Sequence, residues 1–203
     1  MFTRYIRKLA EIVECAEVTD RQGGGLPLEA AVVRMGSEMQ AAHDRDNKIM
    51  FVGNGGSAGI SSHMATDFSK NGGIRSMAMN DGAVLTCLSN DYGYHDVFAK
   101  QIEWHARPGD ILIAISSSGS SSNILSAVEA GRQSECLVYT FSGFAGSNPL
   151  RKLGDLNIYL SSEEYGFVEV GHLALLHGVL DVQMGWVDHT LQTVEQERVV
   201  YGA

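Results

Sequence analysis

Cysteine, positive charge and long hydrophobic runs are all scarce in this chain. Its three cysteines, Cys15, Cys87 and Cys136, are few, widely spaced and odd in number. That favours buried free thiols in a reducing cytoplasm over a disulfide framework or a zinc ribbon. Lysine and arginine total 15 against 24 acidic residues, a net charge of -9 that argues against a nucleic-acid-binding surface. No block of like charges forms a polyanion- or lipid-binding tail. The longest apolar stretches have the length of strands, far short of a bilayer span, so no membrane partner is expected. The first residues, MFTRYIRKLAEIVECAEV, scatter charges among apolar side chains and lack the core of a signal peptide. No internal repeat and no G-x-x-x-x-G-K-[ST] motif occurs, which removes solenoids and P-loop nucleotide binding.

Glycine, by contrast, is plentiful, with 23 residues among 203. The glycines cluster after apolar runs, where strands end. Five runs of strand length occur: KIMFV (48–52), RSMAM (75–79), DILIAIS (110–116), CLVYTF (136–141) and LNIYL (156–160). Glycine- or serine-rich turns and then helical periodicity follow each, the pattern of a parallel sheet covered on both faces. Before them, residues 3–18 and about 28–46 read as helices, with Ile6, Leu9, Ile12 and Val13 on one face of the first. The RQGGGLP segment between them reads as a loop. A last long helix is expected over about 165–190. The expected organisation is a helical arm (1–46), suited to oligomerisation, on an α/β three-layer sandwich (47–190), with a C-terminal tail (191–203).

Ligands of such sheets bind beyond the carboxyl ends of the strands, and two of those ends are unusually polar. One is 53-GNGGS-57, where glycines let backbone N–H groups approach an anion at a helix N-terminus. The other is 116-SSSGSSSN-123, with six hydroxyls and an amide at the start of another helix. Capping needs one serine, not six. The three terminal oxygens of a phosphomonoester need many donors. GNGGSA also fits the dinucleotide fingerprint G-x-G-x-x-A, with Asp81 near the position of a ribose-binding acid. A second serine cradle has no role in that scheme, however, and favours a phosphate.

GNGGS after the first strand, SSSGSS after a later one and 89-SNDYG-93 between them resemble the sugar isomerase (SIS) domain, and more narrowly the bacterial phosphoheptose isomerases. The resemblance implies a five-stranded parallel sheet between helices and a homotetramer with active sites near subunit boundaries. It implies isomerisation of sedoheptulose 7-phosphate to a glycero-manno-heptose 7-phosphate. Matched by motif, it implies sugar-phosphate contacts at Asn54, Gly55, Ser57, Asn90, Asp91, Ser116, Ser117, Ser118 and Ser121. Metal-binding and catalytic positions fall on His63, Asp67, Glu169 and His177, with zinc or another divalent transition metal as the ion. The family commonly carries Glu at the position of Asp67 and Gln at that of Glu169.

The chemistry agrees with those residue types. Aldose–ketose isomerisation moves a proton between neighbouring carbons and needs a base and a group that stabilises an oxyanion. His63 and Asp67, at i and i+4, share one helix face beyond the glycine loop. Glu169, His172 and His177 interrupt an otherwise apolar helix and need buried partners. Glu169 and His177 stand about 12 Å apart along that helix, so one ion takes both only at full reach or across a subunit boundary. Two assignments stay open: Asp67 as base with His177 as acid or ligand, or Asp67 as ligand with Glu169 taking the proton. His172 is expected to be structural. A regulatory, non-catalytic sugar-phosphate-binding protein and an isomerase of a different sugar phosphate are the alternative functions.

Overall fold

Neighbouring residues of each central strand enter opposite cores. In β3 (Ile49–Gly53), Ile49 and Phe51 join one apolar cluster, while Met50 and Val52 join another. In β5 (Ile111–Ser116), Ile111, Ile113 and Ile115 face the first cluster, and Leu112 and Ala114 the second. A strand with apolar residues on both faces must be covered twice, which is why these runs are continuously hydrophobic. The computed structural model describes residues 1–186. Helices α1 (Phe2–Glu14), α2 (Leu28–Asp44), α3 (Gly56–Lys70) and α7 (Tyr165–Gln183) cover one face of the sheet. Helices α4 (Gly82–Tyr92), α5 (Ala99–His105) and α6 (Ser122–Gln133) cover the other.

All five expected strands form, and they pair in parallel. With β4 (Ser76–Ala78), β6 (Leu137–Ser142) and β7 (Leu156–Tyr159), their order is β7-β6-β5-β3-β4. From β3 the chain moves outward to β4. From β5 it moves the other way, to β6 and then β7. The crevice between the carboxyl ends of β3 and β5 is therefore the topological switch point, the place where an open α/β sheet receives its ligand. In that crevice Gly53 pairs with Ile115, one residue before Ser116.

Residues 15–27 depart from the expected helix and loop. Helix α1 stops at Glu14, and β1 (Glu17–Asp20) pairs antiparallel with β7, Val18 opposite Ile158. A short β2 (Gly25–Leu26) returns against it, so the sheet has seven strands. The turn is closed by Asp20, whose Oδ1 accepts from the backbone N–H of Gln22 (2.9 Å) and Gly24 (2.7 Å). Helix α7 begins at Tyr165 as expected and ends at Gln183, ahead of Gly185 at φ 71°. The remainder of the span expected to reach 190, and the tail over 191–203, lie outside the described residues from 187 onward. Among the described residues no helix is long and apolar enough to cross a membrane.

Candidate active site and metal centre

Two helix N-termini converge on one cavity at the switch point. Helix α3 starts directly from the end of β3, and α6 from the serine loop after β5. The first turn demands glycine: a Cβ on Gly53 would lie 2.5 Å from the Ser57 carbonyl oxygen. In the second, Gly119 adopts φ 62°, and a Cβ there would meet Asn148 Oδ1 at 2.0 Å. Neither helix carries a side-chain cap hydrogen bond, although Ser121 sits at the N-cap of α6. Their N-terminal N–H groups and positive dipole ends are thus left for an anion. The cavity has a volume of about 230 Å³, and Asn54, Gly55, Ser57, Ser116, Ser117, Ser118 and Ser121 all line it.

The serines are only partly occupied with one another. Ser116 Oγ lies 3.3 Å from Ser121 Oγ and accepts from the Gly119 N–H at 3.2 Å. Ser118 Oγ accepts from the Ser120 N–H at 3.3 Å. Ser117 Oγ is buried and has no partner among the described residues. A buried hydroxyl without a partner is costly unless a ligand completes it. Donors that the fold leaves unpaired, at two helix N-termini, are what a phosphate group requires.

Three residues outside the expected set hold this cavity open. Asn54 and Asn123 exchange amide hydrogen bonds of 2.9 Å in both directions, tying the glycine loop to α6. The Tyr94 hydroxyl donates to Asn54 Oδ1 at 2.9 Å. Asn148, 4% exposed, donates through Nδ2 to the carbonyls of Gly143 (3.1 Å) and Ala145 (2.9 Å) and accepts from the Arg151 N–H at 3.1 Å. Asn123 closes the quoted serine motif, and Asn148 precedes a proline in the manner of an N-cap. Nothing in the sequence marks Tyr94.

The ionisable residues divide between two places. Glu169 lines the cavity with the serines, its carboxylate so close to Gly56 that a Cβ there would lie 2.3 Å from Oε2. His63, Asp67 and His177 meet farther along α3 and α7, each able to offer one donor atom within 4.8 Å of the others. The two imidazole Nε2 atoms are 3.0 Å apart, and Asp67 Oδ2 is 3.4 Å from His63 Nε2 and 3.8 Å from His177 Nδ1. With bonds of about 2.0–2.2 Å, donors at a tetrahedral zinc stand roughly 3.3–3.6 Å apart. One nitrogen of each imidazole and one Asp67 oxygen, all within 4.8 Å of one another, could hold a divalent ion once drawn to that spacing, and Glu169 is not among them. Helices α3 and α7 run side by side in the same direction, which puts Glu169 level with Gly56 and His177 level with His63. Asn90 and Asp91 are exposed near the end of α4, bonded to each other at 2.9 Å, and do not line the cavity.

His172 is fully buried between these groups and the sheet. Its Nε2 lies 3.1 Å from the carbonyl of Ser142, and Nδ1 has no partner among the described residues. Burial pushes its pKa down to about 4, opposed only by the Ser142 hydrogen bond, so the ring is neutral. As a neutral donor it anchors the end of β6, whose next residue, Gly143, donates its N–H to the Ser117 carbonyl at 3.0 Å.

Comparisons with known proteins point to the same architecture. Residues 5–143 match the SIS domain family. The chain is 33% identical to a phosphoheptose isomerase of Rhodospirillum rubrum over 153 residues, 72% of this chain and 81% of that protein. It is 36% identical to one of Akkermansia muciniphila over 142 residues, 67% and 75% of the two chains. Among solved structures it is similar to the phosphoheptose isomerase of Neisseria gonorrhoeae, with a TM-score of 0.76 and 28% identity over 90% of this chain and 94% of that one. The Francisella tularensis phosphoheptose isomerase matches with a TM-score of 0.77 and 25% identity over 91% and 94%.

Proposed function

The chain belongs to the SIS-domain family, and on that premise we propose that it isomerises sedoheptulose 7-phosphate to glycero-manno-heptose 7-phosphate, for the synthesis of heptose-bearing glycans. The observation that carries this reading is the cavity at the switch point, where unpaired serine and backbone donors face one space beside a carboxylate. In it the phosphate group is held by Ser57, Ser116, Ser117, Ser118, Ser121 and the N–H groups opening α3 and α6. The sugar carbons extend from there past Glu169 along the α3–α7 groove.

Glu169 is the base of choice in this chain, because it shares the cavity with the phosphate donors and Asp67 does not. The family commonly carries Gln there, so the role is a departure from the family's set. It takes the proton from one of the two reacting carbons and returns it to the other. Asp67 lies within 4 Å of both imidazoles and is a ligand with His63 and His177. Zinc, when held by these three, supplies positive charge against the developing enediolate. The enzyme is proposed to act as a homotetramer. In support, Phe2, Tyr5 and Ile6 of α1 are 73%, 39% and 45% exposed, an apolar surface that one chain leaves uncovered.

The test is incubation of the full chain with sedoheptulose 7-phosphate and zinc, following product by NMR. Formation of the aldose phosphate is expected. Binding without turnover would sink the isomerase assignment and leave a sugar-phosphate-binding regulator.

A further inference from the structure

The opposite end of the sheet holds a second, larger cleft, of about 450 Å³, at the amino ends of β5 and β6. Three arginines line it: Arg21 from the β1–β2 turn, Arg45 just past α2, and Arg132 in the last turn of α6. Three acids are also present, but two are already committed. Glu38 accepts from Arg34 Nε at 3.0 Å through Oε1 and from the Tyr139 hydroxyl through Oε2. Asp155 accepts the Val138 N–H at 2.9 Å, and its other oxygen lies 3.8 Å from Arg21 Nη1. That leaves Glu135, which has no ion pair among the described residues.

Arg132 carries the inference. Its Nε and Nη2 are buried without a hydrogen-bond partner among the described residues. Arg45, exposed just past the end of α2, has no carboxylate partner among them. A guanidinium does not deprotonate in proteins, so its buried N–H groups stay charged and need an acceptor. Leaving a charged donor buried and unpaired is among the costlier defects a fold carries. With Arg21 paired to Asp155 and Glu38 to Arg34, Arg45 and Arg132 remain in this cleft against Glu135 alone. The cleft is also of the size that receives small molecules. Cys136 lines it too and is buried as expected, whereas Cys15 and Cys87 are exposed. Burial, followed by the Asp110 carboxylate and against the pull of Lys48, raises the Cys136 thiol pKa to about 12 and disfavours the thiolate that covalent chemistry needs.

We propose that this cleft binds the phosphate group of a small phosphorylated molecule, with Arg132 and Arg45 as its principal contacts and Arg21 at the rim. Phosphate is favoured over carboxylate because two guanidinium groups free of carboxylates, on separate elements and with Arg21 at the rim, suit a charge near -2 better than -1. The site is distinct from the serine cavity. Ser121 and Arg132 stand at opposite ends of α6, about 16 Å apart along its axis, so one phosphate cannot occupy both. The proposal does not depend on the catalytic reading.

Calorimetric titration of the full chain with inorganic phosphate at constant ionic strength tests it. Two sites are expected. The Ser117→Ala, Ser121→Ala double variant loses one. Arg132→Gln and Arg45→Gln each weaken the other at least tenfold. Arg45 is exposed at a helix end, so its variant keeps the test open if Arg132→Gln does not fold. In the serine double variant, where only the arginine cleft remains, glucose 6-phosphate binding more tightly than inorganic phosphate identifies a phosphomonoester as the ligand, and equal affinity identifies free phosphate. A single site abolished by the serine variant, unaltered binding in both arginine variants, or malonate binding as tightly as phosphate overturns the proposal.

Discussion

Asn54 and Asn123 donate to and accept from each other at 2.9 Å across the switch point, so the two anion cradles form one rigid unit. Asn123 is 2% exposed, so its amide cannot recover its bonds from water without opening the crevice. Asn123→Ala should destabilise the protein by about 2 kcal/mol and raise KM for the sugar phosphate roughly tenfold. In a double-mutant cycle with Asn54→Ala the losses should be non-additive by at least ~0.5 kcal/mol. Additive losses, in stability and in KM, would show that the pair does not act as a clamp.

Ser117→Ala should separate stability from binding. In the free protein the hydroxyl is buried and unpaired, so its removal is expected to leave stability unchanged or raise it by about 1 kcal/mol. Affinity for phosphate should fall about tenfold, the worth of one hydrogen bond to a charged group. Thermal melting and phosphate titration check the two signs. A variant that melts lower and binds normally would make Ser117 a packing residue.

The division of the ionisable residues into two places predicts a division of labour. His63→Ala and His177→Ala should each lose bound zinc, measured as metal per chain after dialysis. Glu169→Gln should retain full metal content while turnover falls by about 100-fold or more, the usual contribution of a general base. Loss of metal from the Glu169→Gln protein would return that residue to the ligand set.

His172 predicts a pH dependence of stability. Its folded pKa, about 4, lies below the unfolded value of about 6.5. Below pH 6.5 the unfolded chain binds a proton that the folded chain refuses, so stability falls as pH drops toward 4. The loss amounts to about 3 kcal/mol at the low end. Wild type should therefore lose that much more unfolding free energy between pH 7 and pH 4 than His172→Gln does. Parallel urea-stability curves for the two proteins would refute it.

Much of this was legible from residue order. Runs such as 111-ILIAI-115, short, rich in β-branched residues and bounded by turn residues, read as strands buried on both faces, and GNGGS and SSSGSS mark where two of them end. The hairpin over residues 17–26 was hidden for a physical reason. Its only buried apolar residue is Val18, and what makes it a strand is the open edge of β7, a partner some 140 residues away. Glu169 was hidden in another way. Its position on α7 follows from helical spacing, but its approach to Gly56 depends on α3 and α7 lying parallel, which sequence spacing does not encode. Asn90 and Asp91 were marked by resemblance alone, and in one chain they face solvent.

That hairpin also governs how copies of the chain can meet. Without it, β7 would offer a bare row of amide and carbonyl groups to any passing strand. With it, the margin of the sheet ends in two residues, Gly25 and Leu26, and then Pro27, which has no N–H to give. Neighbours arriving on this side find no backbone to zip onto, and any union there has to be negotiated by side chains.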